Sequence, residues 1–245
     1  MEKCKLCGSD TEKFPKSHII PDFMYKHLKN EKSQILRTRM PEGRKLKPAL
    51  TGFYDLKLAC PECEEKMSKW EGYAEKALYG SSNIQMPKAV KLDGLQQQIF
   101  NIDYTKFKLF LLSIIWKASV TTHEFFREIS LGDKHQAIFA KMLTDENPGE
   151  EDKYPVWMIF TKGDPTKNLA IGQPYRIKTP DNASRYVFPI GPAIYIFHIS
   201  SHGIDEQMKL NAIKKDNTMQ TTFWPISRAQ AMVLLYQAKT PLSPI

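Results

Sequence analysis

The four cysteines of this chain form two pairs of one spacing, Cys4-Lys5-Leu6-Cys7 and Cys60-Pro61-Glu62-Cys63. A Cys-x-x-Cys puts two thiolates on one tight turn, where both reach a single ion. Two such turns complete the closed tetrahedral four-sulfur site that Zn²⁺ favours in structural roles. The competing reading is two unrelated pairs, redox-active or buried. A redox Cys-x-x-Cys is expected beside a βαβ pattern, and neither pair has one. Zinc held by Cys4, Cys7, Cys60 and Cys63 closes the chain between Cys7 and Cys60 into a loop, so the metal presents whatever that loop carries.

The loop carries positive charge. From Lys26 to Lys57 there are nine basic residues (Lys26, Lys29, Lys32, Arg37, Arg39, Arg44, Lys45, Lys47, Lys57) against three acids (Glu31, Glu42, Asp55). Tyr25, Phe53 and Tyr54 are interspersed. Clustered basic groups on a metal-anchored excursion are the footprint of phosphate-backbone contact. The bland alternative is a solvated loop. The strongest candidates for nucleic-acid contact are Arg37, Arg39, Arg44, Lys45 and Lys47. A net charge of +8 points the same way, to a polyanionic partner.

Several elements must position these groups. Phe14 to Pro21 reads as a short extended segment: its prolines bias their neighbours away from helix, and Ile19-Ile20 are β-branched. Asp22 to Leu28 starts a short helix, and Gly43, Pro48 and Gly52 punctuate a hairpin ending at Leu58. Glu64 to Tyr79 is a helix with Met67, Trp70, Ala74, Ala77 and Leu78 on its apolar side.

A zinc turn, an extended segment with a histidine, a loop, and a second zinc turn opening a helix: this order resembles the treble-clef, ββα-metal core of HNH-type endonucleases. Ser17-His18-Ile19-Ile20-Pro21 is similar to the family's first signature segment, and Leu58-Ala59-Cys60-Pro61-Glu62-Cys63-Glu64 to its last. The resemblance covers about the first 80 residues. It implies that His18 is a general base on water and that a divalent ion, Mg²⁺ or Mn²⁺, sits at the scissile phosphate of a nucleic acid, DNA before RNA. Two positions depart from the family pattern. Ser17 stands where an acidic ligand is usual, and Glu64 where a histidine is. A carboxylate is a preferred ligand of those ions, and Glu71 returns to the same helical face two turns after Glu64. A His18, Glu64, Glu71 cluster is therefore the expected catalytic site, with Glu64 and Glu71 as ligands of the second ion. Each residue also has a duller reading: His18 donating to a backbone carbonyl, Glu64 a first-turn acid on the helix dipole, and Glu71 a salt bridge to a nearby lysine. His27, His123, His135, His198 and His202 lack metal-like spacing and are expected to be non-catalytic.

The remainder reads as α+β. Residues 83–103 are expected as a connector of irregular or short-strand character. Phe107 to Val120 is apolar nearly all round and belongs at the centre of a core. Glu124 to Ile129 and Lys134 to Leu143 read as helices. Val156 to Phe160, Tyr186 to Ile190, Ala193 to Ile199 and Thr221 to Trp224 read as strands, with Gly191-Pro192 as a tight antiparallel return. Ser227 caps an expected helix from Arg228 to Ala238. The expected organisation is a zinc-braced HNH-like domain over 1–82, the connector over 83–103, and an α+β domain over 104–245. That last domain is a scaffold or a surface for a protein partner, and the zinc-turn front with a helical follow-on resembles small bacterial proteins associated with phage defence. Three residues before Cys4 leave no room for a signal peptide, and no apolar run spans a bilayer. The expectation is a cytoplasmic protein without a membrane segment. The competing function is a zinc-dependent module that grips nucleic acid or a protein without cutting it.

Overall fold

A computed structural model describes residues 1–26, 28, 35–38, 47–49, 51–80, 88–93, 96–161, 170–179, 182–191, 193–201, 203–227, 230–231 and 234–235. The first Cys-x-x-Cys turn is tied by a short antiparallel pair, β1 (Glu2–Lys3) with β2 (Asp10–Thr11). Gly8 has φ +76° and its N–H donates to the Cys4 carbonyl at 2.9 Å. A side chain there would meet nothing within 4 Å, so the left-handed backbone is what calls for glycine.

The next elements form a strand–strand–helix unit. β3 (Ser17–His18) pairs antiparallel with β6 (Tyr54–Asp55), in the register Ser17↔Asp55 and His18↔Tyr54. The short helix α1 (Phe23–Lys26) follows β3. At the end of the loop, Gly52 lies so close to Tyr25 that a Cβ would sit 2.4 Å from the ring; the Tyr25 hydroxyl accepts from the Phe53 N–H at 3.0 Å. α2 (Pro61–Tyr79) starts at the second Cys-x-x-Cys turn with Cys60 as its extended N-cap and a proline in its first turn, where the missing N–H costs nothing. It buries Cys63, Met67, Trp70, Ala74 and Ala77, the face its 3.6-residue spacing defines.

The rest is one large sheet with helices on it. Its order is β5-β4-β10-β12-β13-β9-β14-β8-β7, with β11 pairing β12. In chain order these are β4 (Ile35–Thr38), β5 (Lys47–Ala49), β7 (Lys88–Asp93), β8 (Gln96–Phe100), β9 (Val156–Thr161), β10 (Ala170–Gly172), β11 (Tyr175–Lys178), β12 (Ser184–Ile190), β13 (Ala193–Ile199) and β14 (Met219–Trp224). The expected return at Gly191 is present as the β12–β13 hairpin. Side chains alternate across its pleat. Tyr186, Phe188, Ile190, Ala193, Tyr195 and Phe197 join a core shared with α2, α3 (Tyr104–Val120) and α4 (Gly132–Thr144), whereas Val187, Ile194 and Ile196 join a second core under α5 (Glu206–Asn211). The first of these cores runs without a break from Cys4 to Met219.

Three expectations are refined. Residues 83–103 are more than a connector: β7 and β8 form one edge of the sheet. The basic hairpin is not an isolated loop, because β4 runs parallel to β10. Glu124 to Ile129 is one 3₁₀ turn (Glu124–Phe126), which lets the adjacent Phe125 and Phe126 both pack on Phe53, the former stacked at 4.1 Å. Residues 228–238 lie largely outside the described residues. Among the described residues, no helix is long and apolar enough to cross a membrane.

Candidate metal centre

The fold brings Cys4, Cys7, Cys60 and Cys63 together, with their sulfurs all within 4.8 Å of one another. None is in a disulfide, and Cys7 Sγ lies 3.8 Å from Cys60 Sγ. Four sulfurs on a tetrahedral zinc, with bonds of about 2.3 Å, stand about 3.8 Å apart. The Cys60 N–H donates to Cys4 Sγ at 3.2 Å, as a backbone donor does to a thiolate ligand. Burial pushes the Cys60 thiol up to about 11 and raises the Cys63 thiol too. Burial also works against the Cys7 thiolate, yet hydrogen bonds from the Ser9 side chain and backbone hold that thiol at about 6. The buried Cys60 and Cys63 sulfurs need a cation before both ionise. The donor set fits zinc.

Next to this centre lies a polar cluster. Ser17, fully buried, donates through Oγ to Glu64 Oε2 at 2.8 Å. Lys117 Nζ, on α3, pairs with Glu71 Oε1 at 2.5 Å, its side chain 0 % exposed and that of Glu71 18 %. Burial raises the Glu64 carboxyl, with Lys117 and Ser17 working against that and Glu71 with it. Ser17, Glu64, Glu71 and Lys117 are therefore electrostatically one group.

His18 stands on the other side of its strand. Adjacent strand residues face opposite ways. Ser17 turns to α2, while His18 meets the edge of Tyr54, its cross-strand partner, and lies 3.7 Å from Asp22. Burial lowers its pKa, Asp22 raises it, Lys16 and Lys117 lower it, and Glu71 raises it. Of the expected trio, Glu64 and Glu71 share the cluster with Ser17 and Lys117, while His18 faces Tyr54, is paired with Asp22, and feels the charges of Glu71 and Lys117. Among the described residues, the four cysteines alone place three or more such ligand atoms in mutual range.

The cluster does not fit a divalent ion. Its hydroxyl is committed to Glu64, and an ammonium sits on Glu71. Lys117 is the residue that sequence reasoning missed. The signal was there, because a lysine in a helix apolar nearly all round must find a partner when buried. The same holds for Lys108, which donates to Tyr104 Oη at 2.9 Å and the Glu150 carbonyl at 2.6 Å.

Of the basic candidates, Arg37 and Lys47 are direct cross-strand partners on β4 and β5. Arg39, Arg44 and Lys45 lie outside the described residues. On the described flank, Lys16 Nζ sits 4.1 Å over the half-exposed ring of Tyr54. The remaining histidines serve locally: His123 Nδ1 accepts from the Phe125 N–H, and His135 bonds Tyr154 Oη. His198 is buried on β13, while His27 and His202 lie outside the described residues.

No family model matches the chain, and neither a curated protein nor a solved structure matches it.

Proposed function

We propose that the chain is a zinc-braced nucleic-acid-binding protein on the strand–strand–helix plan of the HNH-type nucleases, gripping the phosphate backbone through the basic segment between its zinc turns. The observation that carries the reading is the register of β4 with β5, which sets Arg37 directly opposite Lys47. That register places two basic positions of the segment that carries nine Lys and Arg residues on neighbouring strands, the kind of basic cluster that contacts a phosphate backbone. Lys16 above Tyr54 adds a cation and a π-face at the β3–β6 pair. DNA is the favoured ligand, from the resemblance to HNH enzymes. The test is titration of labelled duplex DNA, duplex RNA and single strands with the zinc-loaded chain. Salt-sensitive binding supports the reading, and no binding to any of them overturns it.

A second reading, HNH-type cleavage with His18 as the base and the divalent ion held elsewhere than at Glu64 and Glu71, is favoured by one observation. His18 is partly exposed and its neutral imidazole is stabilised, the form a general base needs. In that reading His18 takes a proton from water. Cleavage in Mg²⁺ or Mn²⁺ that His18→Ala abolishes, with binding retained, would establish it.

A further inference from the structure

The carboxylates that follow the second zinc turn are already neutralised from within. Glu64 and Glu71 lie two turns apart on α2, and two carboxylates so placed, half-buried beside a zinc centre, read from the sequence as ligands for a second ion. Lys117 changes that reading. It arrives from α3, its side chain fully buried, and its ammonium sits 2.5 Å from Glu71. Ser17 meanwhile holds Glu64 at 2.8 Å from the strand side. A buried ammonium has no other outlet for its charge, and removing either partner of such a pair strands the other in a poorly solvated place.

We propose that Lys117 is the resident cation of the Ser17–Glu64–Glu71 cradle, so that this cradle takes no divalent ion in the native protein and instead fastens α3 to the zinc-bearing helix α2 by charge. Zinc at the four cysteines and the ammonium at the glutamates then divide the cation sites of the unit between them. Lys117 is a positioning residue: it touches no solvent-borne ligand, and it fixes the charge and orientation of Glu71. The proposal is independent of whether the chain binds nucleic acid.

The experiment is a Mn²⁺ titration of the zinc-loaded full chain, with free Mn²⁺ followed by electron paramagnetic resonance. The wild type is expected to hold no Mn²⁺ that Glu64→Gln or Glu71→Gln removes. One tightly held Mn²⁺ per chain that either substitution removes would overturn the proposal. Lys117→Met, close in length and uncharged, is expected to gain a Mn²⁺ site that a further Glu71→Gln removes. A folded Lys117→Met with unchanged thermal stability and no gain of Mn²⁺ would also overturn it. Should Lys117→Met fail to fold, the wild-type titration decides alone.

Discussion

The Ser17 hydroxyl donates to the Glu64 carboxylate across 2.8 Å, joining strand β3 to the first turn of α2 one residue past Cys63, the last of the clustered cysteines. The bond passes through a fully buried position, so it couples the histidine-bearing strand to the helix that the second zinc turn opens.

Breaking that bond has a graded consequence. Ser17→Ala removes a donor from a half-buried carboxylate and should cost about 1–3 kcal/mol, read as a lower midpoint in urea. Ser17→Asp restores the acid usual in HNH enzymes but sets a second carboxylate against Glu64. It should destabilise more than Ser17→Ala, and a Ser17→Asp chain as stable as wild type would contradict this packing.

The zinc prediction is separable. Cys60→Ser should lose the metal on elemental analysis and leave the amino-terminal third without stable circular dichroism, because structural zinc contributes folding energy directly. Chelation of the wild type should have the same effect. Metal content unchanged in Cys60→Ser would remove the four-cysteine centre from the account.

Lys108 sets a pH dependence. Burial brings its pKa down to about 7, while an unfolded lysine keeps its proton to about 10.4. Between those values the unfolded chain binds more protons, so stability attributable to Lys108 rises with pH from about 7 toward 10. Lys108→Met should flatten that rise in urea unfolding at pH 7 and 9. Equal pH slopes in the two proteins would show that Lys108 does not titrate in this window.

Much of this was legible in the sequence. The cysteine spacing predicted the four-cysteine cluster, the apolar spacing from Met67 to Ala77 predicted the buried face of α2, and Gly191-Pro192 predicted the β12–β13 return. Other features left weaker local traces. Gln96, Gln97 and Gln98 break any alternation in β8, and the parallel pairing of β4 with β10 joins residues far apart in the chain. Lys117 leaves no trace in apolar periodicity, which takes no account of a single buried charge. The opposite facing of Ser17 and His18 did have a sequence signal: if Ser17 of a strand faces the helix, its neighbour His18 faces away.

The most direct test of the account is the salt dependence of duplex DNA binding by the zinc-loaded chain, compared with a variant carrying alanine at Arg37, Arg39, Arg44, Lys45 and Lys47. For the wild type, log K should fall linearly with log salt. The variant should bind more weakly across all sequences, with the slope reduced by about 0.9 for each phosphate contact removed. Wild-type binding without salt sensitivity, or a variant with the wild-type affinity and slope, would contradict the account.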